Sequence, residues 1–432
     1  MRSGTRRPVA IAGVAVLAAS VLLVGCGKAE TGGGGNAATG ELTLWTHNAG
    51  NKEELAVVNQ IVSDYNASQT KNKVNVQAFP QASYNDAVVA AATAKKLPCI
   101  LDTDAPVVPS WAFAGYLAEL NLPQDVVAKQ LPSTLGKYND KLYSIGYYDA
   151  ALAIFARKSA LESAGARIPT IDKPWTAAEF DQTLAKLKAA GKFPVAFDLG
   201  TGDTGGEWWT YAYSPFLQSF GGDLIDRTDY KTAEGVLNGD KAKAWAAWLQ
   251  GLVSQGYTPK KSGTDAFADF VNGKSAMVWS GIWSTANLEK VSDGIVLPPP
   301  DFGTGPKIGG GSWQWAISSG CQNQDAALDY LKFSLNSKYL AQFSTKQNVV
   351  PATEEAAALT PGWKPGEPKR FFLDEAQKFA MIRPPTPGYP YLTTTFAKAT
   401  QDIVAGGDAN SILDRAAKDI DQNFKSNNFY QS

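Results

Sequence analysis

Hydrophobic and polar positions divide the 432-residue chain into three unequal stretches. The first carries Arg2, Arg6 and Arg7, then an almost unbroken apolar run from Val9 to Val24. A positive start, a short apolar middle and a small residue before Cys26 describe a secretory signal peptide over residues 1–25. The run is about 16 residues, short of the ~20 that a spanning helix needs. The second stretch, 26–40, is rich in glycine and shows no periodicity, which predicts a flexible tether. From Glu41 onward the pattern switches repeatedly between a period of two and a period of 3.6.

Glu41–Thr46 alternates like a strand. Asn51 with Glu54 gives a capping-box signal, and Leu55, Val58, Ile61, Val62 and Tyr65 recur at helical spacing. Val74–Ala78 alternates again, and Ile100–Leu101 opens a strand after Pro98. Tyr143–Phe155 reads as extended, and Ser159 with Glu162 as the box of a short helix stopped by Gly165. Pro174–Glu179 opens a helix that ends at Gly191, and Val195–Phe197 reads as a strand. Trp245, Trp248, Leu249 and Leu252 share a helix face. Ala276–Trp279 and Trp313–Ile317 read as strands, and Asp325–Leu335 as a helix. The alternation predicts an α/β fold with mainly parallel sheets flanked by helices. Leu297–Pro300 is a candidate crossover. Pro384–Pro390 reads as irregular, with a helical C-terminus from Thr394.

The formal net charge is −1 and no dense basic run occurs, so a nucleic acid is not an expected partner. No later stretch is long and apolar enough to cross a bilayer. The chain has three cysteines and one histidine, His47. A zinc site built from several histidines and cysteines cannot be assembled, and any serine–histidine–acid triad would have to use His47. Neither a GxSxG elbow nor a phosphate-binding glycine loop is present. No metal or cofactor is expected. Carboxylates are plentiful, so a two-carboxylate glycosidase stays open on inventory alone. Against these shortages stand 12 tryptophans, 16 tyrosines and 19 phenylalanines. Many serve aromatic cores, but several lie beside glycine or acid in loop-like contexts and suggest a surface that stacks on ligands.

Leu23-Val24-Gly25-Cys26 resembles the lipobox of bacterial lipoproteins, in which the cysteine is lipidated at the cut site. The remaining pair, Cys99 and Cys321, is expected to form a disulfide outside the cell; two separate buried thiols are the alternative. Five further stretches resemble the extracytoplasmic sugar-binding proteins of ABC-type importers, the family of maltose-binding protein. They are Leu44–His47, Leu97–Asp102 followed by Gly115–Leu120, Lys141–Tyr147 through Phe155–Lys158, Phe270–Met277 with Gly281-Ile-Trp283, and Gly309–Ile317 with Asp325–Ala327. Cys99 stands where that family often has aspartate, and Gly146 where it has proline. The resemblance implies two α/β lobes joined by a hinge with several crossovers, and a ligand cleft between them. The expected N-terminal lobe is 41–150 plus 301–350, and the C-terminal lobe 151–300 plus 351–432. It also implies a monomer that is held to the membrane by Cys26, binds an oligosaccharide and serves importer permease subunits.

Within that resemblance the candidate ligand-binding residues lie at strand ends and in loops. Trp283 matches the family's stacking tryptophan. Trp208, Trp209 and Tyr211 match a second-lobe segment; two adjacent tryptophans cannot easily face one core, so one should be available. Asp102 and Asp104 match hydroxyl-binding acids, with capping as the alternative, and Trp111 follows them. His47 and Asn48 occupy the first ligand loop. Tyr147, Tyr148 and Asp149 lie on a crossover. Gly310, Gly311, Ser312 and Trp313 offer backbone approach and an aromatic wall, while Arg383 and Tyr389 fall in the last ligand loop. Phe79, Gln81 and Tyr84 are weaker candidates. The competing reading is a secreted lipoprotein glycosidase or lyase using a pair such as Asp102 and Asp104.

Overall fold

Alternation in the first ordered stretch produces strand β1 (Glu41–Thr46), with Leu42, Leu44 and Thr46 buried. The chain is described here by a computed structural model covering residues 40–202 and 206–431. The signal peptide, Cys26 and the tether through residue 39 lie outside the described residues. After β1 come β2 (Lys73–Ala78), β3 (Ile100–Asp104), β4 (Leu135–Tyr138), β5 (Lys141–Gly146), β6 (Tyr148–Asp149) and β7 (Leu152–Arg157). Then follow β8 (Val195–Asp198), β9 (Ser275–Gly281), β10 (Gly294–Leu297), β11 (Ile308–Gly310), β12 (Trp313–Ile317), β13 (Val350–Pro351) and β14 (Ala380–Ile382).

The strands form a six-stranded sheet in the order β2-β1-β3-β12-β5-β4 and a four-stranded sheet in the order β10-β7-β9-β8. β1 runs parallel to β2 and β3, with the helices Lys52–Ser68 and Gln81–Thr93 as crossovers. Both sheets are nevertheless mixed rather than mainly parallel. β12 inserts antiparallel between β3 and β5, and β4 and β5 form a hairpin. Its two turn residues, Asn139 and Asp140, have φ of 47° and 61°, as a tight two-residue hairpin loop requires. In the second sheet β7 is antiparallel to β9 and β10, and only β8 pairs in parallel.

Each sheet has its own core. Leu42, Leu44, Val58 and Ile61 pack with Trp315, Tyr330 and Phe343 under the first sheet. Tyr84, Val88, Leu101 and Trp111 cover its other face. Phe155, Phe197, Phe216, Trp245 and Trp279 pack with the C-terminal helices Tyr389–Val404 and Ala409–Ser426 around the second sheet. The chain passes between the sheets after β5, again between β10 and β12, and again after the helix Ser337–Gln347. Two short ladders, β6 with β13 and β11 with β14, lie along these passages.

Local signals account for several boundaries. Thr176 and Glu179 make a full capping box, and Gly191 ends that helix at φ 62°. The helix after β7 runs Lys158–Ser163, so Ser159 is not its cap; its hydroxyl donates to Asp293 instead (2.5 Å). The last segment becomes helical at Tyr389, earlier than Thr394, with Pro390 tolerated in the first turn. Cys99 and Cys321 are joined in a disulfide with their Cα atoms 4.5 Å apart, just beyond the Ile100–Ile317 end of the β3–β12 ladder.

Candidate functional site

The C-terminal ends of β1 and β3 and the start of β12 gather one group of side chains. His47 is 4% exposed, and its Nδ1 lies 2.5 Å from Asp102 Oδ2. Asp102 is fully buried and accepts bonds from the Thr46 hydroxyl (2.9 Å) and the Tyr147 hydroxyl (3.0 Å). Glu54 reads in sequence as a capping residue, and it does meet Asn51 (3.0 Å). Burial dominates its role, however. Its other oxygen accepts bonds from Tyr147 (3.2 Å) and Tyr148 (3.1 Å) and lies 4.0 Å from His47 Nε2. Burial pushes the Glu54 carboxyl up against the opposing charge of His47. For His47, burial alone would lower the pKa. The charge and hydrogen bond of Asp102, with the charges of Glu54 and Asp104, outweigh it and raise the pKa above 6.5. The imidazole stacks on the half-buried Trp313 with ring centroids 3.4 Å apart and planes 7° apart.

Asp149 forms a second buried node. It accepts bonds from Ser133, from the Ala150 N–H (2.7 Å) and from the Gly311 N–H (3.0 Å). Burial pushes its carboxyl up to about 6, against those three donors. Gly311 sits at φ +83°, where a side chain would be strained.

The second sheet supplies the aromatic side. Trp283 follows β9 in a short 3-10 turn and is 44% exposed. A Cβ on Gly281 would fall 2.2 Å from its ring, so glycine there lets the indole fold over the backbone. Trp208 is half-buried and, with Trp283, Ser280, Asn287 and Asp265, lines a cavity of about 410 Å3. The Trp208 Nε1–H has no partner among the described residues. Trp209 is buried and stacks on Tyr213 at 4.7 Å. Tyr211 is buried, its ring covers Gly309, and its hydroxyl has no partner among the described residues.

Between these groups lies a clasp. Arg383 is buried and donates to Glu207 Oε2 (3.0 Å), Asp104 Oδ1 (3.4 Å) and the Gly311 carbonyl (3.1 Å), with its guanidinium over Tyr211 at 5.2 Å. Glu207 also accepts bonds from Tyr389 and from Thr393 (2.9 Å). Burial pushes the Asp104 carboxyl up to about 6; Arg383 opposes this and Glu207 adds to it.

The arrangement brings together His47, Asp102, Asp104 and Trp313 on one side, and Trp208, Trp283, Tyr211, Arg383 and Tyr389 on the other. Asn48 is buried beside Thr46 (2.8 Å). Several candidates are placed differently from a ligand surface. Trp111 packs into the core over the first sheet, because its short helix turns the ring inward. Tyr147 stacks on Trp315 (4.4 Å) and presents only its hydroxyl to the polar network. Gln81 is exposed at the start of its helix. Glu207, Thr393 and Ser133 are absent from the sequence-derived candidates. A larger cavity of about 580 Å3 shares Arg383 but is lined by the β4–β5 hairpin and Phe429–Gln431, and by none of the candidate aromatics. Among the described residues no group of three His, Cys, Asp or Glu side chains could hold a metal ion.

The structure thus sets two sheets with separate cores beside a charged clasp of Asp104, Glu207 and Arg383 and a cavity lined by an exposed indole. The sequence profile of the bacterial extracellular solute-binding proteins matches residues 60–369. The chain belongs to that family. It is 24% identical over 354 residues to an uncharacterized lipoprotein of the oleD 5′ region of Streptomyces antibioticus, covering 78% of this chain and 75% of that protein. It is 22% identical over 366 residues to the diacetylchitobiose-binding protein DasA of Streptomyces coelicolor, covering 81% and 82%. The cyclic alpha-maltosyl-1,6-maltose binding protein of Arthrobacter globiformis has a similar fold, with a TM-score of 0.75, 22% identity and coverage of 89% and 99%.

Proposed function

We propose that this protein captures an oligosaccharide between its lobes and hands it, unaltered, to the permease subunits of an ABC importer. One observation carries the reading. Trp283, the exposed indole at the end of β9, faces a cavity shared with Trp208, beside a clasp of two carboxylates and a guanidinium. A sugar presents C–H faces to aromatic rings and hydroxyls to carboxylates and guanidinium groups. Trp283 and Trp208 are the stacking platforms. Asp104, Glu207 and Arg383 exchange their mutual bonds for sugar hydroxyls. The relatives named above bind diacetylchitobiose and cyclic alpha-maltosyl-1,6-maltose, both oligosaccharides. The lobes comprise 41–150 with 301–350 and 151–300 with 351–432. The protein acts as a monomer, lipidated on Cys26 at the outer face of the cell membrane, a placement supported by the lipoprotein relative.

The glycosidase reading is disfavoured by Asp102. It is fully buried and bound by Thr46, His47 and Tyr147, so it is not free to act in a pair with Asp104. A thermal-shift screen against maltose, maltotetraose and diacetylchitobiose tests the proposal, because a ligand of the native state raises the melting temperature by mass action. Calorimetry on any hit should give one site, and chromatography should recover intact sugar. Shortened products would replace binding by catalysis. No shift with any saccharide would remove the sugar from the proposal.

A further inference from the structure

His47 is the only histidine in the chain, and it is too deeply buried to be a main ligand contact. Both ring nitrogens and one ring face are nevertheless engaged. Asp102 meets Nδ1, Glu54 lies 4.0 Å from Nε2, and Trp313 covers one face. The charged and titratable groups around it come from each neighbouring element. Glu54 comes from the helix Lys52–Ser68, Tyr84 from the helix Gln81–Thr93, Asp102 and Asp104 from β3, and Tyr147 and Tyr148 from the end of β5 and from β6. Three are carboxyl groups and none is cationic. An imidazolium fits this cage, and stacking a cation on an indole is favourable when water is excluded. Trp313 pairs in register with Asp104, which is half of the Arg383 clasp. The His47–Trp313 stack therefore stands at the end of the first sheet that carries Asp104.

We propose that protonated His47 is a positioning residue that holds Trp313 flat as the first lobe's own stacking platform, so that sugar affinity depends on pH through a side chain the sugar does not touch. The inference rests on the sugar-binding reading above. If the charged ring holds the platform, ligand binding favours the charged ring in return. His47 should then titrate at higher pH in the complex than in the free protein. Affinity should be highest at the acid end of a window from about pH 7 to 9 and fall roughly fivefold as pH rises through the free-protein value. Asp104 and Asp149 are held at about 6 and become largely ionised only above about pH 7, and burial also raises the Glu54 carboxyl, so the comparison is read from pH 7 upward and through the His47 signal itself.

The mature protein, purified without a histidine tag, gives a direct test, because its one imidazole yields unambiguous NMR signals. His47 is titrated with and without maltose, maltotetraose or diacetylchitobiose, and the dissociation constant is followed over the same pH range. An upward shift of the imidazole titration on binding, with matching loss of affinity, supports the proposal. A bound sugar that leaves the titration unmoved overturns it. So does a Trp313→Ala protein that binds as tightly as wild type. The His47→Phe protein should keep the stack but show a flat pH profile. If no saccharide binds, the sugar reading fails first and this inference falls with it, an outcome distinct from binding without a shift.

Discussion

The two walls of the cleft differ in how their polar side chains are held, although buried atoms without partners among the described residues occur on both, Asn48 Oδ1 and Trp315 Nε1 on the first. On the first-sheet side, His47, Asp102, Glu54, Tyr147, Tyr148 and Thr46 bond to one another in a buried network. On the second-sheet side, Trp283 stands exposed, while the Trp208 N–H and the Tyr211 hydroxyl lack partners among the described residues. A satisfied buried network fixes a surface before the ligand arrives, since each unpaired member would carry a large penalty. Unpartnered groups beside a cavity are what a ligand can complete. If the proposed sugar site is correct, the first wall sets shape and the second captures, and lesions on each should show in different measurements.

The largest effect should come from breaking the first wall at its hub. Asp102→Ala leaves His47 buried without its main counter-charge and leaves Thr46 and Tyr147 without their acceptor. Removing one member of a buried ionic pair costs about 3–5 kcal/mol. Urea unfolding of the ligand-free protein should show a loss of that order. A loss below about 1 kcal/mol would mean that the network is not what orders this wall.

Asp104 lies where the walls meet and should behave in the opposite sense. Its carboxyl is held at about 6, above the unfolded value of 3.8, with burial the largest cause. The folded state therefore binds more protons between about pH 4 and 6, and stability is lost as pH rises through that window. Asp104→Asn should recover on the order of 2 kcal/mol of ligand-free stability at pH 7, with no gain below about pH 4. Affinity should fall, because the sugar loses an ionised acceptor. Stability that falls at both pH values would make Asp104 a structural partner of Arg383 and nothing more.

Trp283→Ala separates the walls most cleanly. An indole already 44% exposed contributes little to the ligand-free fold, so the melting temperature should hardly move. Loss of its stacking face should weaken sugar binding at least tenfold, about 1.4 kcal/mol. A drop in ligand-free stability with intact affinity would assign the ring to the core.

How much of this was legible in sequence follows from the range of each interaction. The strands β1 to β3 and the helix Lys52–Ser68 were readable, because alternation and caps act over a few residues, whereas the helix Gln81–Thr93, which has no side-chain cap, was not read. The position of Trp283 after β9 was readable from Gly281 at the end of a strand and from the family resemblance, and its binding role is what Trp283→Ala tests. The mixed first sheet was not, since β12 enters it more than 200 residues after β3, and no local pattern states that choice. Glu54 was read as a cap because Asn51 lies three residues before it, yet burial and two tyrosines 93 and 94 residues away decide its main role. Glu207 went unnoticed for the same reason. Its value depends on Arg383, 176 positions later, and nothing in its immediate neighbourhood announces that pairing. Trp111 misled in the other direction: a place just beyond a cleft-edge strand did not reveal which way a six-residue helix would turn its ring.

The smallest effect tests whether the second wall is left incomplete for the ligand. Trp208 is half-buried against Gly200, where an added Cβ would come 3.0 Å from Nε1, so the indole is already seated before any ligand binds. Its N–H nevertheless finds no acceptor among the described residues. Trp208→Phe keeps an aromatic face and removes the donor. If a sugar hydroxyl is the missing acceptor, affinity should fall about two- to tenfold, the range of one neutral hydrogen bond. Ligand-free stability should stay level or rise slightly, because an unpaired buried donor has been removed. The reverse pattern, unchanged affinity with lost stability, would make the Trp208 N–H part of the fold's own bonding. The second wall would then be closed on itself like the first, and capture would rest on Trp283 and the Arg383 clasp.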